Sequence, residues 1–151
     1  MQTVEENRNG TSGEVDKVAD FIMYTQRSFL LDLSCDLNEG NVSFAQFFLM
    51  GFLASEEYLS MTDIAKKMGH STAAATGLVD RLEKLGYVRR IHAADDRRKV
   101  MVQITRKGID LVERMRDGIA KRLANVMDGM DAGEKSGLVA TSERVVSGLS
   151  R

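Results

Sequence analysis

The chain reads as a mainly α-helical protein with a small β-hairpin, and three observations lead there. Apolar residues recur at threes and fours along most of its length, as in amphipathic helices. Only "YVRRI" and "VMVQIT" alternate apolar with polar residues, as half-buried strands do, and they flank the charged tip "HAADDRRKV" at 92–100. The 151 residues are 43% hydrophobic and 28% charged, an ordinary balance for one domain with a core.

Taken in order, "MQTVEENRNGTSG" (1–13) is polar and reads as a frayed arm. Over 14–38, Val15, Val18, Ile22, Phe29, Leu33 and Leu37 share one helical face, and "LNEGN" ends that helix. Phe44, Phe47, Phe48 and Phe52 repeat the spacing with Leu49, Met50 and Leu53 on other faces, so a second helix is apolar nearly all round and expected to be central. Ser60 with Asp63 three residues on starts a short helix over 61–68, closed by Gly69. Ser71 caps another that runs to Leu85, with Gly86 as its stop. The hairpin follows. Beyond it, Ile109, Val112, Met115, Ile119, Leu123 and Val126 mark a long helix, and Leu138, Val145 and Leu149 a last one.

Composition excludes several classes. One cysteine, Cys35, permits no intrachain disulfide and suits a reducing compartment. The start of the chain has no apolar run of a signal peptide, and "FAQFFLMGFLA" (44–54) is far short of the roughly 20 residues that span a bilayer. A cytoplasmic protein without a membrane segment is the expectation. Two histidines, His70 and His92, cannot make a zinc set with one distant cysteine, so neither metal nor cofactor is expected. Glu56 and Glu57 are helix neighbours pointing about 100° apart, which leaves no paired-carboxylate site and no sign of an enzyme.

Charge is unevenly spread. Residues 81–107 hold nine bases against three acids, a net +6 in a chain whose formal charge is −1. A basic segment on an acidic body suits a polyanion. A short helix, a turn with glycine and a second helix form a helix-turn-helix, in which small Ala65 and Gly69 permit close approach. Ser71, Thr72, Ala73 and Thr76 place small side chains at the start of the second helix, able to approach base edges, thymine methyls and phosphates, with Arg81 farther along toward the backbone. The hairpin tip "DDRRK" then lies beside the groove, where a narrow minor groove favours arginine. Asp96 is expected to hold a neighbouring guanidinium in pose.

The run "LSMTDIAKKMGHSTAAATGLVDRLEKLGYVRRIHAADDRRKVMVQITRKG" (59–108) resembles the winged helix-turn-helix of the MarR family of bacterial transcription regulators. "STAAATGLVDRLEKLGYVRR" is similar to the family's recognition helix and first wing strand, "DRR" followed by a strand ending in "IT" to its wing, and "KG" to the opening of its next long helix. The flanking helices extend the likeness to nearly the whole chain. Ala93-Ala94 stand where the family often has Asp-Pro.

The resemblance implies a winged helix-turn-helix at 39–105, with long terminal dimerisation helices at 14–38 and 106–151, in one compact domain overall. It implies double-stranded DNA as partner, contacted by Ser71, Thr72, Ala73, Thr76, Arg81, Asp96, Arg97 and Arg98. Asp96 and Arg98 match the wing aspartate and minor-groove arginine. It also implies a homodimer, on a pseudopalindrome with half-sites about one turn apart. The apolar stripes of the terminal helices agree with dimerisation independently, since a chain this short has little core left to cover them.

A repressor released by a small aromatic or phenolic effector is the expected function, with Tyr24, Phe48 and Phe52 as candidate pocket residues. The same aromatic spacing also suits plain core. Cys35 sits late in the first helix, where the helix dipole disfavours a thiolate, and a buried inert thiol suits it better than an oxidant sensor. The rival class is a winged-helix module whose basic wing binds an acidic protein partner.

Overall fold

The computed structural model describes residues 3–92 and 99–149. Among them are six helices and three strands: α1 (Thr3–Gly40), α2 (Phe44–Ser55), β1 (Leu59–Ser60), α3 (Met61–Met68), α4 (Thr72–Lys84), β2 (Val88–His92), β3 (Val100–Ile104), α5 (Arg106–Asp128) and α6 (Ala132–Leu149). None of these helices is long and apolar enough to cross a membrane.

The chain divides into two units, Met1–Glu113 and Arg114–Arg151, with the boundary inside α5. In the first unit α1 begins at Thr3, so residues expected to form a frayed arm are helical. The physical reason is cooperativity. Nucleation is the costly step, and a helix already set by the apolar face beyond residue 14 extends backward at small cost through a stretch without proline. Its C-terminus turns at Asn41, which adopts φ 54°, and Val42 N–H donates to Leu37 O at 2.9 Å.

Ser43 and Gln46 start α2 with a reciprocal capping box. Ser43 Oγ accepts from Gln46 N–H at 3.3 Å, and Gln46 Oε1 accepts from Ser43 N–H at 2.8 Å. Leu49, Met50 and Leu53 are fully buried, as are Ile64, Ala75, Val79, Leu82 and Val102, and α2 packs on α4 and β3. The helix is central on one face only, because Phe48 and Phe52 point outward.

The sheet has the order β1-β3-β2 and is antiparallel throughout. The expected hairpin is β2 and β3, paired from Val88↔Ile104 to His92↔Val100. The third strand is an addition: Leu59 and Ser60 pair with Val102 and Met101 on the free edge of β3.

In the second unit, Asp131 and Glu134 cap α6 reciprocally, each side chain accepting from the other's N–H at 2.9 Å. Leu138, Val139, Val145 and Val146 are exposed along that helix.

Candidate nucleic-acid interface

The helix-turn-helix is built by local signals. Ser60 Oγ accepts from Asp63 N–H at 3.1 Å at the start of α3. Gly69 ends α3 in the left-handed region at φ 63°, where a side chain is strained, and the next N–H, from His70, donates back to Ala65 O at 2.9 Å. Ser71 then caps α4, accepting from Ala74 N–H at 3.2 Å, and Gly86 at φ 79° turns the chain into β2.

Burial orients α4. Ala75, Val79 and Leu82 face the core, which turns Ala73, Gly77, Asp80 and Lys84 to the middle of the opposite, exposed face. Ser71, Thr72, Ala73 and Arg81 are exposed as expected. Thr76 is half-buried, and its hydroxyl donates to Thr72 O at 2.8 Å. An added Cβ at Gly77 would meet nothing within 4 Å. Gly77 and Ala74 were not singled out from the sequence, yet both lie on the exposed surface of α4; the three-residue spacing of the buried set was the available signal.

A clamp joins α4 to the hairpin. Arg90 on β2 donates through Nη2 to Asp80 Oδ1 at 2.6 Å and through Nη1 to Glu83 Oε2, while its backbone N–H donates to Glu83 Oε1 at 3.0 Å. Partial burial works against the Arg90 charge, but the hydrogen bonds and the fields of the two carboxylates outweigh it and raise its pKa above the ordinary arginine value. Both acids of α4 are thus held by one guanidinium, which offsets one of their two charges. Among the described residues Arg81 and Lys84 have no carboxylate partner, so the exposed side of α4 keeps a net positive charge. On the hairpin, Arg89 donates to Gln103 Oε1 at 3.0 Å and 2.7 Å, bracing β2 against β3.

The end of the hairpin is fastened to α5. Thr105 Oγ1 donates to Gly86 O at 2.7 Å and accepts from Gly108 N–H at 3.3 Å, and Thr105 N–H donates to Tyr87 O at 2.9 Å. Lys107 Nζ reaches Leu85 O at 2.7 Å and lies 4.5 Å from the centre of the Tyr87 ring. Tyr87 in turn donates its hydroxyl proton to Gly40 O at 3.2 Å, tying β2 to the end of α1.

The expected wing residues Asp96, Arg97 and Arg98 lie outside the described residues, and so does the side chain of Cys35. His70 and His92 are exposed, and no group of three metal-ligating side chains is present among the described residues. Glu56 pairs with Lys67 at 3.3 Å, and Glu57 is exposed.

Tyr24, Phe48 and Phe52 are exposed, by 76%, 52% and 37%. They line neither of two cavities in the first unit. One, of about 420 Å³, is lined by Leu37, Asn38, Asn41, Val42, Ser43, Gln46 and Arg81. The other, of about 340 Å³, lies between α1 and the start of α2, where Met23, Leu30, Leu31 and Phe44 wall a space that also holds Gln26, Arg27 and Ser34.

This geometry matches known proteins. The MarR family model matches residues 41–99. The transcriptional repressor YetL of Bacillus subtilis is 31% identical over 99 residues, 66% of this chain and 58% of YetL, so the chain spans less than two thirds of that relative's length. A MarR family protein from Bacillus stearothermophilus superposes with a TM-score of 0.79 at 20% identity, over 91% of this chain and 96% of that one. S. aureus MepR in its DNA complex superposes with a TM-score of 0.66 at 21% identity, over 85% and 95% of the two chains. The helix-turn-helix region is thus similar in sequence to the MarR family, and the described chain has the fold of MarR winged helix-turn-helix proteins.

Proposed function

We propose that the protein is a transcription regulator, not an enzyme, that binds a pseudopalindromic operator as a homodimer and represses by occupying it. The observation that carries this reading is α4: an exposed face of small side chains, with its acids held by Arg90 and Arg81 and Lys84 left cationic. Small residues let a helix sit deep in the major groove, and cations beyond them meet phosphate. The contacts are Ser71, Thr72, Ala73, Thr76 and Arg81, with Asp96, Arg97 and Arg98 of the wing at the minor groove. The MepR–DNA complex, of the same fold, supports a DNA partner, and the name of YetL supports repression. Its place of action is the cytoplasm, where the DNA is.

Dimerisation is supported by uncovered apolar surface. Val15, Val18, Phe21 and Ile22 of α1 are 45–64% exposed, more than a soluble helix leaves bare without a partner, and the apolar stripe of α6 is uncovered in the same way.

The cavity lined by Met23, Leu30, Leu31 and Phe44 is the seat we assign to the effector. Apolar walls with one guanidinium, that of Arg27, suit a small aromatic or phenolic acid. Its effect on DNA is a coupling free energy of about 1–3 kcal/mol, and it is reciprocal.

Selection from random duplex DNA tests the first part. A palindromic consensus, bound with an affinity that falls steeply as salt rises, is the expected result. Binding without salt dependence, or no selected sequence, refutes it in favour of a protein-binding winged helix. An aromatic acid should weaken operator binding, and saturating operator should weaken the acid's binding by the same factor. Equal ligand affinity with and without DNA refutes a regulatory site.

A further inference from the structure

Reading bases in the major groove usually requires a long polar side chain: Arg or Lys for guanine, Asn or Gln for adenine, Asp or Glu for cytosine. The first two turns of α4 contain none of these. From Thr72 to Val79 the chain is "TAAATGLV", and Leu78 and Val79 belong to the inner side. The hydroxyls nearby are short and in part engaged within the helix. Ser71 Oγ accepts from Ala74 N–H, and the Thr76 proton goes to Thr72 O at 2.8 Å, so Thr76 has no donor left for a base. Asp80, the first long polar residue, is held by Arg90, and Arg81 and Lys84 come at the far end of the helix. What the exposed N-terminal half presents is methyl groups, from Thr72, Ala73 and Ala74, beside the bare backbone of Gly77.

The major-groove feature that methyls match is the 5-methyl group of thymine. We propose that α4 reads its half-site chiefly through the 5-methyl groups of pyrimidines, by apolar contact and fit, rather than by direct hydrogen bonds to base edges. The inference rests on the DNA-binding reading above and adds the chemistry of recognition. It also implies that 5-methylcytosine can stand in for thymine at a contacted position, since only the methyl is sensed there.

The test uses the full-length protein and its selected duplex. Each thymine of a half-site is replaced in turn by deoxyuridine, which pairs identically and lacks only the methyl. Loss of one buried methyl contact corresponds to about fourfold in affinity, so a drop of about that size is expected at each contacted thymine. None is expected at thymines outside the half-sites. Ala73→Gly should weaken binding to the thymine duplex and abolish the deoxyuridine effect at one position, the non-additivity expected of two groups in contact.

Equal affinity for the thymine duplex and a fully deoxyuridine-substituted one overturns the proposal while leaving DNA binding intact. So does an Ala73→Gly protein that is as sensitive to deoxyuridine as the parent at every position. If no duplex is selected at all, the DNA reading itself fails, and the proposal falls with it.

Discussion

Gly108 sits where α5 presses on the start of β2, and replacing it with alanine tests how rigid that junction is. A Cβ there would lie 2.5 Å from Tyr87 O and 2.6 Å from Ile104 Cγ1, both well inside ordinary contact. One neighbour is a side chain that can turn, but the other is a backbone carbonyl. That carbonyl accepts from Thr105 N–H at 2.9 Å and shares the Thr105 hydroxyl proton with Gly86 O, at 3.0 Å from Oγ1, so moving it strains these hydrogen bonds. Overpacking of this kind costs about 1–3 kcal/mol, and a loosened hydrogen bond adds about 1 kcal/mol. Against this, alanine is favoured over glycine inside a helix by about 1 kcal/mol. The expected net is a loss on the order of 1–3 kcal/mol.

Gly77→Ala is the matched control. It makes the same change in an exposed helix with open space around it, so only the propensity gain remains, about 0.5–1 kcal/mol of stabilisation. Urea denaturation of both variants at one fixed protein concentration measures the pair, the concentration being held because dimerisation shifts the midpoint. Opposite signs for one chemical substitution are the expected outcome. A Gly108→Ala protein as stable as the parent would show that the junction yields freely, and the reasoning from the close contact would be wrong.

Arg90→Met removes the clamp between α4 and the hairpin; with all three groups partly exposed, the expected cost is about 1–2 kcal/mol at low salt, shrinking as salt rises. Duplex affinity should fall as well, because the negative charges of Asp80 and Glu83 lose the guanidinium that offsets them, and unchanged stability and affinity at low salt would remove the clamp from the account. Ser71→Ala should cost about 1 kcal/mol by uncapping α4, whereas Ser71→Asp keeps the cap and the stability but repels DNA. If Ser71→Asp binds the duplex as tightly as the parent, the N-terminus of α4 is not at the DNA. Arg98→Ala, on the proposed wing, should weaken duplex binding and flatten any preference for A·T-rich flanks, and a filter or fluorescence titration at physiological salt that finds neither refutes the minor-groove role.

The helix-turn-helix was legible because its signals are local. Ser60, Gly69, Ser71 and Gly86 each act on backbone groups within four residues, so the boundaries of α3 and α4 follow from neighbours in the chain. Contacts made across the fold left no such mark. β1 is only two residues long and carries no alternation to detect; it exists because β3 has a free edge beside Leu59. The clamp was equally hidden, since Asp80, Glu83 and Arg90 meet only after the hairpin folds back on α4.

The sum of charge over 81–107 counted Arg90 and Arg81 alike. In the fold they differ, Arg90 being paired with carboxylates and Arg81 with none among the described residues, so the position of the positive charge is a property of tertiary structure even where its amount is not. Gly108 follows the same rule. As "KG" it reads as the opening of a helix, but its lack of a side chain is needed by a carbonyl 21 residues earlier, at Tyr87. The recognition helix is therefore defined by short-range chemistry. Its fastening to the rest of the first unit is made of long-range contacts between α4, β2 and α5. A substitution far from any base can thus alter DNA affinity while the recognition helix itself stays unchanged, and Gly108→Ala is the place to look for that effect.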